Sequence, residues 1–180
     1  MKDTERNTFL GAVKNAVLHF LFPCRCVFCR RLMPVTTKIA VCHTCMQKLP
    51  FTMAHPRCCR CGRPMAARRR YCAACDGRMD FAFERICVPY LYEGSVKKAL
   101  ILFKRERYQS FAKVFAAHIG AVLSHDLGDV CFDAVVSVPP RPERMRKEGY
   151  DQAETLAAAV AKQMELPYLG GVLYQSENRK

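Results

Sequence analysis

Acidic side chains are scarce at one end of this 180-residue chain. Positions 1–80 hold 4 Asp and Glu against 15 Lys and Arg, a net of +11, whereas positions 81–180 hold 12 against 14. The basicity of the whole chain, +13, therefore belongs to its first half. A surface of that sign favours an anionic partner, nucleic acid first, with an ordinary solvated face as the plainer reading. Long apolar runs are also lacking. The stretch Phe9 to Phe22 is interrupted by Lys14, Asn15 and His19, and Pro23 and Cys24 follow where an export signal would have a small-residue cleavage site. This excludes a bilayer span and a secretory leader, and places the protein in the reducing cytoplasm. Phe9, Val13, Ala16, Val17 and Phe20 recur at helical spacing, so residues 1–23 are expected to form an amphipathic helix ending at Pro23. Large apolar side chains are few between Cys24 and Asp80 as well, so burial alone cannot fold that segment. A chain that is 51% hydrophobic and 25% charged is nonetheless no disordered polymer.

What that segment does have is cysteine. Ten of the chain's 12 cysteines precede residue 76, and eight of them form four C-x-x-C pairs: Cys26/Cys29, Cys42/Cys45, Cys58/Cys61 and Cys72/Cys75. Two thiolates two residues apart can turn onto one tetrahedral zinc ion, and a second pair closes the four-coordinate site. Eight sulfurs predict two structural Zn²⁺ ions, with the metal supplying on the order of 10 kcal/mol of folding free energy per site. The first pair recurs 32 residues later as the third, and the second recurs 30 later as the fourth. That duplication favours two successive ribbons over an interleaved arrangement. Redox chemistry would need a C-x-x-C at a strand-to-helix turn, and the flanks here are rich in Arg, Pro and Gly. Cys24 and Cys59 stand beside ligands and compete with Cys26 and Cys58, although the two-residue spacing favours the latter. His43 and His55 are surplus among eight thiols, and Cys87 and Cys131 read as small buried apolar residues. Arg68, Arg69 and Arg70, between the third and fourth pairs, mark a basic ribbon tip and are the candidate nucleic-acid contacts.

The texture changes near Asp76–Asp80, giving a helix at 1–23, a double zinc ribbon at 24–80 and an α/β segment at 81–180. Residues 85–92, 132–138 and 171–174 read as strands, Ser95 as the cap of a helix through Phe103, and 111–123 as a core-facing helix. Arg141 to Tyr150 reads as a basic loop at the carboxyl end of a strand. Asp151 with Glu154 caps the next helix, an arrangement suited to phosphate.

These motifs together resemble the ComF family: four C-x-x-C pairs, then Tyr92-Glu93-Gly94 with Phe103-Lys104, then Val135-Val136-Ser137-Val138-Pro139, then Gly149-Tyr150-Asp151-Gln152-Ala153-Glu154. The resemblance covers the chain from about Leu18. It implies a double zinc ribbon joined to a type I phosphoribosyltransferase-like domain and a role in competence for DNA uptake. Its partners would be single-stranded DNA, a competence helicase and, in a full-length relative, phosphoribosyl pyrophosphate. By that resemblance Pro139, Pro140, Arg141 and Arg144 would hold pyrophosphate, with Mg²⁺ only in a complete site. Where the family usually has Arg-Gly-Phe-Asn-Gln, this chain has Glu148-Gly149-Tyr150-Asp151-Gln152, which weakens anion binding. Nor does the second half contain the adjacent acidic pair and Thr-Thr-Gly-like turn that hold ribose 5-phosphate in such enzymes. The expectation is an incomplete phosphoribosyltransferase-like domain in a truncated or frameshifted member, without catalysis of its own. Two rivals stand beside it: a zinc-ribbon module binding nucleic acid or a helicase, and a phosphoribosyltransferase acting on a nucleobase-like substrate.

Overall fold

The computed structural model describes residues 23–175 apart from 35, 36, 38, 68, 79, 81, 107 and 108, and excludes the side chains of Glu106, Gln109, Arg144 and Lys147. The helix expected over 1–23 lies outside the described residues save for Pro23. The chain divides into two compact units, Met1–Lys48 and Leu49–Lys180.

In the first unit a tight turn at residues 27–29 is closed by an antiparallel bridge between Arg25 and Leu32. The short helix α1, His43–Lys48, follows. Cys26, Val27 and Phe28 are almost wholly buried. In this unit the backbone is shaped by turns that present sulfur.

The second unit begins with a 3-10 turn, Thr52–Ala54, and a second hairpin bridged at Arg57 and Pro64. Helices follow: α2 Gly94–Glu106, α3 Gln109–Leu127, α4 Pro142–Glu148 and α5 Gln152–Gln163. α2 buries Val96, Ala99 and Phe103, a stripe at helical spacing. α3 buries Phe111, Val114, Phe115, His118 and Val122, close to the predicted face. The Phe103 and Phe115 rings meet edge to face at 5.6 Å, joining α2 to α3. α5 packs along α3, and a Cβ at Gly120 would come within 3.3 Å of Gln163 Cγ.

α2 begins one residue before the predicted cap: the Glu93 carbonyl accepts from Lys97 N–H at 3.1 Å, leaving Ser95 inside the helix. α5 starts as predicted, with the Asp151 carboxylate accepting from the N–H groups of Ala153 and Glu154 at 2.8 and 3.1 Å. The stretch read as a basic loop contains α4, which has Pro142 in its first turn and closes on Gly149 at φ +56°.

Strands are where expectation and structure part. Among the described residues β pairing is confined to isolated bridges, four in number. Phe51 pairs with Tyr90, and Val135 pairs in parallel with Tyr168 through Val135 N–H to Pro167 O and Leu169 N–H to Val135 O, both 2.9 Å. Pro139 and Pro140 remove two ladder donors from the end of the 132–138 segment, where Val138 stays 70% exposed. Cys131 is exposed and Cys87 half-buried, so the expectation that both are small buried residues fails for Cys131.

One polar network fixes the second ribbon to its own unit. Arg57 donates to Thr52 Oγ1 at 2.8 Å and pairs with Asp126 near the end of α3. Arg85 donates to the Asp126 carbonyl at 2.7 Å. Thr52, itself buried, donates its hydroxyl to the Val88 carbonyl.

Candidate metal centres and basic face

Each ribbon turn is a hairpin whose first cysteine opens a loop of backbone N–H groups. In the first, Cys26 N–H donates to Arg31 O and Arg30 N–H to Cys26 O, both 2.8 Å, and Met33 N–H to Cys24 O at 2.9 Å. In the second, Cys58 N–H donates to Arg63 O at 2.9 Å, Gly62 N–H to Cys58 O at 3.0 Å and Met65 N–H to Pro56 O at 2.8 Å. Every one of these bonds is displaced by 32 residues from its counterpart. The cross-links Val27 N–H to Ala40 O at 2.8 Å and Cys59 N–H to Arg70 O at 2.9 Å extend the match.

These turns bring the predicted sulfurs together in two groups, Cys26, Cys29, Cys42, Cys45 and Cys58, Cys61, Cys72, Cys75, each with all Sγ atoms within 4.8 Å of one another. Cys29 and Cys42 Sγ are 3.6 Å apart, and Cys61 and Cys72 Sγ 3.7 Å. A tetrahedral ZnS₄ centre with bonds of about 2.3 Å has sulfur–sulfur edges of about 3.8 Å. The two Cys₄ clusters therefore fit two structural zinc ions. Four sulfurs complete each coordination sphere, so the metal's contribution is structural, with no position left open for water or substrate.

The electrostatics of the sulfurs favour a bound dication. Burial pushes the Cys26 thiol up, but backbone N–H groups of Cys29, Cys42 and Phe28 outweigh it and bring it down to about 7. The Cys42 N–H stands 3.4 Å from Cys26 Sγ. At Cys58 burial opposes and the N–H groups of Cys61, Cys72 and Arg60 prevail, bringing the thiol down to about 6. Burial and neighbouring sulfurs push Cys75 up to about 12 and hold Cys45 far above the ordinary thiol range. Four adjacent thiolates repel one another unless a dication offsets their charge.

The duplicated register separates ligands from neighbours. Cys24 occupies the place of Pro56, and Cys59 the place of the buried Val27, so neither equivalent position in the other ribbon offers a sulfur. His43, in α1, and His55 are exposed and outside both groups.

Arg68 lies outside the described residues; Arg69 and Arg70 are exposed. Sequence reasoning missed Arg60 and Tyr71. The guanidinium carbon of Arg60 lies 5.2 Å from the Tyr71 ring centroid, and that of Arg70 lies 5.4 Å away. The signal was available, since Arg60 stands inside the third C-x-x-C pair and Tyr71 directly before Cys72. Pro139 and Pro140 are half-buried beyond the Val135 bridge, and exposed Arg141 is the N-cap of α4 without a side-chain cap bond. Arg144 is in α4, its side chain outside the description.

No curated protein and no solved structure gives a match. Among the described residues no helix is long and apolar enough to cross a membrane. Residues 17–76 match the family model for the double zinc ribbon domain, and it is a double zinc ribbon that this part of the chain carries.

Proposed function

We propose that the double zinc ribbon is a nucleic-acid-binding module, and that the chain acts on single-stranded DNA in the cytoplasm in the competence role that its resemblance to the ComF family implies. The observation that carries this reading is the Arg60–Tyr71–Arg70 cluster on the second ribbon. Both guanidiniums lie over the Tyr71 ring, which itself packs on the second cysteine cluster, so the ring holds the two cations in place where they offer phosphates paired donors. The ordered motif set supports the division into 1–23, 24–80 and 81–180, with the last a phosphoribosyltransferase-like scaffold. Support for that scaffold comes from the parallel bridge of Val135 and Tyr168 across α4 and α5, and from the Asp151-capped helix. A competence helicase is the second partner this reading admits.

The test is fluorescence anisotropy of zinc-loaded protein with a labelled oligothymidine as salt rises from about 50 to 200 mM. Each phosphate contact to a single strand contributes about −0.7 to the slope of log K against log salt. Replacing both Arg60 and Arg70 by Ala should make the slope shallower by about 1.4, and Tyr71→Ala, which removes the ring that both guanidiniums rest on, should weaken binding by about 0.5–1 kcal/mol. No binding at about 50 mM salt would make the basic face a solvated one. Phosphoribosyl pyrophosphate with Mg²⁺ and mixed nucleobases should release no pyrophosphate above background, because only the pyrophosphate end of the donor has a candidate site.

A further inference from the structure

Beside the second ribbon, a cavity of about 360 Å³ is lined by Met53, Ala54, His55, Pro56, Arg57 and Arg69. We propose that it is a nucleotide site, with the phosphate held by Arg57, Arg69 and His55 and the sugar and base against Met53, Ala54 and Pro56.

Three observations converge on that ligand class. All of the charged or titratable lining residues are basic types, and no carboxylate is among them. Arg57 is fixed before any ligand arrives: one terminal nitrogen donates to Thr52 Oγ1 at 2.8 Å and the other is paired with Asp126. An anchored guanidinium loses little freedom on taking a further acceptor. Asp126 offsets the charge of Arg57, so the attraction for an anion falls chiefly to Arg69, with His55 as a further polar contact. Finally, the volume lies in the range of small-ligand sites, about 300–1,000 Å³, and exceeds what a bare phosphate ion fills. The Met53–Ala54–Pro56 wall supplies the apolar contact that a phosphate ion would leave unused. The phosphate belongs to a free nucleotide or to the 5′-terminal nucleotide of a strand, which are the same chemistry from two sources.

Calorimetry on the zinc-loaded full chain would compare AMP, adenosine and inorganic phosphate. In parallel, anisotropy would compare an oligothymidine with and without a 5′-phosphate. AMP should bind with Kd at or below about 1 mM, with adenosine at least about tenfold weaker. Arg69→Ala and His55→Ala should each weaken AMP binding at least about fivefold while zinc content stays unchanged. If AMP is silent but the 5′-phosphorylated strand binds more tightly than the plain one, and Arg69→Ala erases that difference, the strand terminus is the source. Equal binding of AMP and adenosine would overturn the site, as would AMP and 5′-phosphate responses unmoved by both variants. The outcome is separable from the nucleic-acid reading: a plain strand whose salt slope depends on Arg60 and Arg70 keeps that reading intact even if the cavity binds nothing.

Discussion

Where the first ribbon carries Phe28, 5% exposed, the second carries Arg60, and where the first has Ile39-Ala40-Val41 the second has Arg69-Arg70-Tyr71. The hairpin hydrogen bonds that flank these positions recur in the same register, yet the side chains they carry are opposite in chemistry. The difference teaches that metal, rather than the neighbouring side chains, specifies this backbone. A ribbon whose folding free energy comes from four Zn–S bonds leaves its flanking residues free to diverge, one copy toward buried apolar side chains and the other toward cations. The sulfurs differ too. The first site has one buried cysteine and Cys29 exposed, whereas three of the four in the second site are buried.

The largest effect that would break this comparison is chelation. Removing zinc withdraws on the order of 10 kcal/mol per site, so excess chelator should unfold both ribbons while α2, α3 and α5, which have their own apolar core, retain helical circular dichroism. Loss should be biphasic, with the first site emptying faster because Cys29 is open to attack. A single phase of zinc release would show that the two sites behave as one.

Next in size is an exchange at the end of each turn. Arg30 sits at φ +64° where the second ribbon has Gly62 at φ +71°. A side chain held in that region costs about 1 kcal/mol, so Arg30→Gly should raise the midpoint for loss of the first zinc. Gly62→Arg should be the more damaging change. Its Cβ would stand 3.1 Å from the Ile86 carbonyl oxygen and 3.3 Å from Val88 Cγ2 in addition to the backbone strain. Equal and opposite effects would mean that the second ribbon's packing on residues 86–88 contributes nothing.

A smaller effect sharpens the contrast between metal-held and core-held parts. Burial on α3 lowers the His118 pKa below its ordinary 6.5, and its Nδ1 is hydrogen-bonded to the Tyr90 hydroxyl. The folded state thus favours neutral imidazole, and the unfolded chain takes up more protons. Its stabilising contribution is full above about pH 6.5 and lost as pH falls through the lower folded value. Urea midpoints at pH 7.5 and 5.5 should diverge more for the native chain than for His118→Gln. Equal divergence would show that His118 carries none of the acid sensitivity.

The ribbons were legible in the sequence because ligand chemistry is written into residue type and spacing: eight cysteines, three intervals, one repeat. The start of α5 was legible for the same kind of reason, since Asp151 acts locally on N–H groups two and three residues away. Strand pairing was not, because it depends on a partner distant in the chain. The 132–138 segment has the composition of a buried strand, but only Val135 forms a β-bridge, and Val136 and Val138 remain exposed. In Arg141–Tyr150 the charge pattern masked a helix whose signals, Pro142 at the start and Gly149 at the end, were both present. The two-residue spacing favours Cys58 over Cys59, and the register of the hairpin supplies the reason, placing Cys59 opposite Arg70 rather than among the sulfurs.

The choice of sulfur at each turn decides whether the two ribbons are duplicated Cys₄ sites. Zinc per chain, measured by mass spectrometry or a chromogenic chelator on native protein and on four serine variants, tests it directly. The native chain should hold two ions, Cys26→Ser and Cys58→Ser one each, and Cys24→Ser and Cys59→Ser still two. A single zinc in the native chain, or full zinc in Cys58→Ser with loss in Cys59→Ser, would contradict two duplicated Cys₄ ribbons.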